Sequence, residues 1–442
     1  MIFEPTIMAD IAPLWPLRYD AALLPEVVAP PYDAIDPKLR RELGQRHPHN
    51  VVHIDLPEGE GDRKYERAQG LFAEWQEMGV VVRDEAPAYW RYAQTYIPPL
   101  GVAPITRKGF LALVRAVPFS ERVVLPHRRT LSRSNSCRMQ LARATRAALS
   151  PQFMLYSDPD CRLDNLLDGG EAFADFQTVD GIRHQLWRVT APATMAAITA
   201  AMANRNLLIA DGHHGYETAL AIGDEFESEA RIRELPTSLR SEHRYTYALL
   251  ANGDAPELVV HPTHRLVHSL PKFNWKELVT QARVLFDVTL MTADAKALAA
   301  RLAAESRPAI GAMIKGGTAA LLVLRPDADL VGHPVLGLRH AVLHDSSAVL
   351  LHDGLLEYVL GITPEAQATE ANLAYMQDAS YGAALLESAV GQVLFLLNGT
   401  TIAAIQRVAD AGEVMPPKST FFYPKVPTGL CFHTLYPDRL IS

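Results

Sequence analysis

The stretch 206–220, NLLIADGHHGYETAL, constrains the chain more than any other. Asn206 to Ala210 is an apolar run after an alanine-rich segment and closes on Asp-Gly, which predicts a short buried strand. From Tyr216 the spacing turns helical, with Tyr216 and Leu220 on one face. Between them stand Asp211, Gly212, His213, His214 and Gly215, at the carboxyl end of a strand and the amino end of a helix. Folds that mix strands with helices bind ligands at such turns, because the helix start offers unpaired N–H groups and a partial positive charge. One carboxylate, two imidazoles and two glycines make this the densest chemical signal in the chain.

A chain of 442 residues exceeds the size at which one core keeps growing, so two or three domains are expected. We place the boundary after residue 268: an N-terminal α/β region, 1–268, carries the Asp-Gly-His-His turn, and a second α/β domain fills 269–442. The class expected is α/β in the mixed α+β sense. Net charge of −8 gives no global reason to expect nucleic acid or an anionic membrane, and there is no recognisable helix-turn-helix. Three cysteines, Cys137, Cys161 and Cys431, are too few and too scattered for a disulfide framework or a metal knuckle. The start, MIFEPTIMADIAPLWPL, lacks the basic and unbroken apolar pattern of a signal peptide, and no apolar run reaches the roughly 20 residues of a membrane span. A cytoplasmic protein of unstated oligomeric state is expected.

Along the chain, VVAPPYDAID (27–36) is forced into an extended path by Pro30 and Pro31, and Asp36-Pro37 then caps and starts a helix. VVHIDLP (51–57) reads as a strand. Asp62 to Gly79 reads as a helix with Tyr65, Ala68, Leu71, Phe72 and Trp75 on one face. The runs 88–97 and 107–117 read as an antiparallel pair around a loop with Pro98, Pro99 and Gly101. Strands at 152–158 and 182–190 are expected around a Gly-rich turn, with an alanine-rich helix over 191–205. The runs 243–252 and 258–267 read as a hairpin or as neighbouring strands. The second domain alternates helices (275–286, 294–306, 346–361, 380–390 and from Thr401) with strands (309–325, 373–378, 392–398). The close, 414–435, is proline-rich and predicts an extended strap, with Lys418, Ser419 and Thr420 available to a phosphate but outside any Walker pattern.

Residues 122–146 break the acidic trend with seven arginines, Arg122, Arg128, Arg129, Arg133, Arg138, Arg143 and Arg146, and no acid. On a helix, Arg138, Arg143 and Arg146 fall within an arc of roughly 140°. That concentration fits an anion site, most simply phosphate, or else a solvated face offset by acids elsewhere in the fold. His261, His264 and Arg265 lie near the end of the run 258–267; were they to meet His213 and His214, a cationic or metal-binding pocket would result.

Several stretches together resemble the bacterial and archaeal proteins grouped as domain of unknown function 1015. They are VVAPPYDAID (27–36), LPHRRTL (125–131), RATRAALSPQFMLYSD (143–158), IADGHHGYETAL (209–220), HPTHRL (261–266) and MPPKSTFFYPKVPTGL (415–430). Through its Gly-His-His stretch that family is similar to the ParB and sulfiredoxin-like superfamily, which includes free-serine kinases. The resemblance implies a ParB/sulfiredoxin-like nucleotide-binding core, a phosphate site at Asp211 to Gly215, and His127 approaching it from an earlier strand. ATP or ADP with Mg²⁺ would be the cofactor. Asp211 would orient metal or hydroxyl, with His127 its catalytic partner. Gly212, His213, His214, Arg128, Arg138, His264 and Arg265 would hold or neutralise the phosphates. No resident metal site is implied.

The departures bear on chemistry. In the family pattern Asp-Gly-His-His is followed by arginine, here Gly215, and Pro-His by glutamate, here Arg128. A lysine and an aspartate ahead of the next arginine are here Asn135 and Cys137. Phosphoryl transfer needs phosphate neutralisation and often a carboxylate that orients the attacking hydroxyl. Guanidinium groups at Arg128 and Arg129 restore charge but cannot act as a base. Three readings therefore stand: a phosphotransferase acting on a small hydroxyl-bearing metabolite, a non-catalytic sensor of a nucleotide or phosphometabolite, and a metal-dependent hydrolase on Asp211, His213, His214 and His264.

Overall fold

The structure is a computed structural model that describes residues 9–98, 103–128 and 133–441, and of 133–136 the backbone alone. Pro99, Gly101, Arg129 and the side chains of Arg133 and Asn135 lie outside the described residues. The class is mixed α+β, as the sequence predicts, with two compact units. The described residues of Met1–Pro126, Ser132–Leu258 and Pro424–Ser442 form the first unit, and those of His127–Leu131 and Val259–Tyr423 the second.

The first unit is built on a mixed sheet of nine strands among the described residues. Its order runs Val124–Leu125, Leu207–Asp211, Gln152–Tyr156, Tyr245–Asn252, Ile105–Arg115, Tyr89–Tyr96, Arg183–Val189, Glu171–Gln177, with Ile11–Ala12 also paired to Ile105–Arg115. Two neighbouring pairs are parallel and the others antiparallel. One face packs Phe110, Ala112, Met154, Leu207 and Ile209 against Ile198 and Met202 of the alanine-rich helix Pro192–Met202, and against Tyr216 of the helix His213–Ile232. Burial at Tyr216, Ile222, Phe226 and Ala230 follows the helical period: Tyr216 packs on the sheet, while Ile222 and Phe226 bury against Leu435, Met139 and Ala142. The helix Pro37–Arg46 starts on Asp36, whose carboxylate accepts from Leu39 N, and Arg63–Glu77 buries Tyr65, Ala68, Phe72 and Trp75 as its spacing predicts.

Three expectations are corrected. Val52–Asp55 is a helical turn and not a strand: Asn50 Oδ1 accepts from Val52 N at 3.0 Å, and this local cap competes with the alternating pattern of VVHIDLP. A helix, Arg162–Leu167, and an edge strand, Glu171–Gln177, stand where a Gly-rich turn was expected. The runs 243–252 and 258–267 are neither a hairpin nor neighbours. Tyr245–Asn252 is central in the large sheet, Val260–His261 pairs with Phe421–Phe422, and His264–Val267 enters the sheet of the second unit.

That second sheet is antiparallel, in the order Phe286–Thr292, Thr318–Leu324, Ala309–Met313, Val393–Leu396, His264–Val267, Leu373–Met376. Leu298 and Leu302 of the helix Ala295–Ala303 and Leu386 of Ala379–Glu387 bury against Leu321, Leu394 and Leu396. The expected helix 346–361 is present but widened: after a short α-helical start at Ser347–Val349, residues Leu350–Glu357 are π-helical. No helix among the described residues is long and apolar enough to cross a membrane.

Candidate functional site

The strand Leu207–Asp211 is regular until its end. Leu208 and Ile209 face Leu155 and Met154 in register, and then Ala210 and Asp211 together oppose the single residue Phe153. A regular ladder would set Asp211 opposite Gln152, on the face that Leu207 and Ile209 share with the core. The bulge instead aims Asp211 at the Phe153 register on the other face. There the Arg107 guanidinium lies over the Phe153 ring at 4.5 Å, and Lys425 Nζ donates to Asp211 Oδ2. The last segment of the chain is clipped to this face by two further bonds. Gln94 Nε2 donates to Lys425 O at 3.0 Å, and Arg107 Nη2 donates to Pro424 O at 2.7 Å and to Gln94 Oε1.

Arg107 is 3% exposed, and its Nε and Nη1 have no hydrogen-bond partner among the described residues. Burial pushes its guanidinium down to about 10, partly offset by Tyr92, Tyr96 and Asp211 nearby. Leaving two donors of a buried cation unmade is costly, and native proteins keep few such groups.

The turn itself needs glycine. Gly212 has φ +88° and begins the 20-residue helix, and its N–H donates to Asp211 Oδ1 at 3.0 Å. A Cβ there would lie 3.2 Å from the Gln152 Cα, and one on Gly215 would lie 2.7 Å from Gln152 Nε2. Gln152 thus runs beneath both glycines, its Oε1 taken by Thr246 Oγ1 at 2.6 Å and its amide nitrogen turned toward the helix start. An arginine at 215, as the family pattern has it, would displace this amide. Gly212→Ala is expected to destabilise the protein by about 1–3 kcal/mol, read by urea denaturation, since alanine is strained in the left-handed region and backbone sits in its way.

The two histidines occupy the first turn of the helix, not the loop before it. His213 is buried, and His214 is half-buried with its Nδ1 3.9 Å from Glu217 Oε2. The first turn holds no acid and no side chain caps it.

The other sequence-predicted residues have the following partners within their own units. Arg138, in the first unit, bonds Asp55 Oδ1 at 2.7 Å and lies 4.3 Å over the Tyr32 ring, while Arg143 and Arg146 pair with Glu225 and Glu229. Of the two readings of that arginine arc, the structure shows acids offsetting it. His127, Arg128, His264 and Arg265 belong to the second unit. His127 is fully buried with Nε2 2.7 Å from Thr420 Oγ1, and Arg128 bridges to Met415. His264 Nδ1 accepts from Leu397 N at 3.3 Å, and burial pushes its imidazole down to about 4. Arg265, expected to neutralise phosphate, is 0% exposed and donates to His352, Thr263 O and Lys418 O. Among the described residues no three or more His, Cys, Asp or Glu are grouped to hold a metal ion. Arg107, Gln152 and Lys425 are the residues sequence reading missed.

The fold and site define a strand-to-helix turn, Asp211 to His214, at the end of one strand of a mixed sheet. The chain belongs to the family described as "Protein of unknown function (DUF1015)", whose model matches residues 11–344. No curated protein matches it. Among solved structures it is similar to a conserved hypothetical protein from Pyrococcus furiosus, at 10% identity over 70% of this chain and 91% of that one, with a TM-score of 0.34. A free serine kinase in complex with AMP is similar at 10% identity, 70% and 89% coverage and a TM-score of 0.34. SbnI with a C-terminal truncation, from Staphylococcus aureus, is similar at 11% identity, 74% and 87% coverage and a TM-score of 0.36.

Proposed function

We propose that the turn Asp211–Gly215 binds the phosphate group of a nucleotide or phosphorylated metabolite, and that the protein acts as a binder or sensor and not as a serine kinase of the usual form. The observation that carries this is the cationic setting of the turn: Lys425 is held at Asp211 by an ion pair and the buried Arg107 lies beside them, at the start of a helix whose first turn has no acid. At Asp211 one carboxylate meets one ammonium and one guanidinium, and the helix start adds positive charge, offset in part by Glu217 beside His214. Gln152 supplies an amide nitrogen beneath the same turn.

The engagement of Asp211 by Lys425 weighs against transfer chemistry. The family-pattern glutamate is Arg128, so the carboxylate of the turn is the remaining candidate to orient a hydroxyl, and it already holds an ammonium group. Mg²⁺ enters only as the nucleotide's own counter-ion, since a metal at the turn would have to share Asp211 with Lys425.

Titration calorimetry with ADP, ATP, AMP and inorganic phosphate tests the proposal. Binding of at least one is expected, weakened at least about tenfold by Lys425→Ala, because a charge-assisted hydrogen bond contributes about 1.5–3 kcal/mol. No heat with any of the four would overturn it. Phosphoserine formed from serine and ATP, seen by phosphorus NMR, would overturn the non-catalytic part alone.

A further inference from the structure

The second unit contains a cavity of about 100 Å³, mostly apolar in its lining with a few charged and polar groups, to which no residue of the turn Asp211–Gly215 contributes. Its floor is buried and includes His352, Asp353 and Gln367, while Pro364 and Ala368 at its rim are exposed. His352 and Asp353 lie in the π-helical stretch Leu350–Glu357, where Tyr358 N donates to Asp353 O and Leu360 N to Leu355 O, each five residues back. Single π turns are rare and concentrate at functional sites, because the widened helix re-aims side chains that an α-helix would turn away. Such a turn persists only where its surroundings enforce it.

The inner polar groups are already matched. His352 Nδ1 donates to Gln367 Oε1 at 2.7 Å and its Nε2 accepts from Arg265 at 3.1 Å, while Gln367 Nε2 donates to Ile362 O at 2.8 Å. The charged pair is different. Arg339 donates through Nε and Nη2 to the two Asp353 oxygens, at 2.6 and 3.2 Å, and its Nη1 makes no hydrogen bond among the described residues. The hydrogen bonds from Arg339 to Asp353 raise the guanidinium above its ordinary value, with Glu357 and Glu413 adding smaller contributions. With Asp353 paired to Arg339 the cavity has no net charge to attract a simple anion. The free guanidinium edge, in turn, is not what a simple amine requires.

We propose that this cavity binds a small zwitterion, the chemical class of the small amino acids, with its ammonium group on Asp353 and its carboxylate on Arg339 Nη1. The size sets a tight limit: an engineered cavity of about 150 Å³ takes up the six heavy atoms of benzene, so this one encloses about four, and the rest of a small amino acid would reach the open rim. Leu343, Val349 and the prolines Pro416 and Pro417 leave an apolar wall suited to hydrogen or methyl.

The test is titration of the full chain with glycine, alanine, acetate and methylamine, followed by heat or ligand-observed NMR. Glycine or alanine is expected to bind, and acetate and methylamine to bind at least about tenfold more weakly, since each lacks one of the two charge-assisted contacts. Asp353→Asn is expected to weaken amino-acid binding by a similar factor. Ala368→Phe, at the exposed rim, is expected to abolish it while leaving the melting temperature and nucleotide binding unchanged. Equal binding of acetate, full binding by Ala368→Phe, or no binding of either amino acid would overturn the proposal. Nucleotide titrations are read separately, so failure here leaves the phosphate site standing, and the reverse holds.

Discussion

Arg265→Ala is expected to lower the stability of the second unit by about 3–5 kcal/mol, a loss at the large end for a single substitution. The side chain is fully buried on the strand His264–Val267, and its guanidinium lies 5.3 Å over the Tyr375 ring. Truncation opens a cavity and strips donors from His352 Nε2, Thr263 O and Lys418 O together. Each buried acceptor left unmatched costs about 1–3 kcal/mol. None of those acceptors is a carboxylate, so the charge itself is an unfavourable contribution that the substitution relieves. Arg265→Met keeps most of the volume and removes the charge, and is expected to cost less than the alanine variant. The difference between the two isolates the cavity. Hydrogen exchange reads both: protection is expected to fall in Leu350–Glu357 and Leu373–Met376. A loss below about 1 kcal/mol in Arg265→Ala would show that this guanidinium does not organise the π-helical segment.

Acid is expected to destabilise the protein well before its carboxylates protonate. His184, His264 and His433 are pushed down to about 4 and His352 to about 3, in each case first by burial, with Arg265 adding to it at His264 and His352. All four are buried. The ordinary value is 6.5, so the unfolded chain takes up protons that the folded chain refuses. The stability these groups contribute is fully present above pH 6.5, falls as the pH drops, and is gone once the folded values are reached. The slope is about 1.4 kcal/mol per site and pH unit, which makes the four together worth about 4–6 kcal/mol at pH 5.5. Glu242 and Asp164, whose carboxyls burial raises, work in the opposite sense. Urea midpoints at pH 7.5 and 5.5 measure the effect, and His184→Gln is expected to flatten it by about one site's share. Equal midpoints would mean that the imidazoles titrate normally and that their surroundings admit water.

Local pattern carried most of the fold into the sequence, and failed where a local cap or a distant partner decided. The helices Arg63–Glu77 and Pro192–Met202 and the strand Leu207–Asp211 are each long or apolar enough for periodicity to settle. Val52–Asp55 was misread because one Asn50 side chain outweighs an alternating pattern. The run 243–267 was misread because pairing across two sheets leaves no trace in adjacent residues. At the site, Asp211, Gly212 and the histidines were legible as a cluster. The bulge that aims Asp211 was not, since nothing in LLIAD announces it. Lys425 lies 214 residues from its partner, and only its place in the run MPPKSTFFYPKVPTGL offered a signal. Arg107 was hidden beside Lys108 at the opening of a strand whose middle reads as apolar.

Amide hydrogen exchange with and without ADP tests the proposed phosphate site most directly. Slowed exchange at Gly212 to Tyr216 and at Lys425 to Val426 is expected, because the helix-start N–H groups and the clipped chain end would hold the phosphates. Unchanged exchange in both segments, with protection appearing elsewhere, would contradict it.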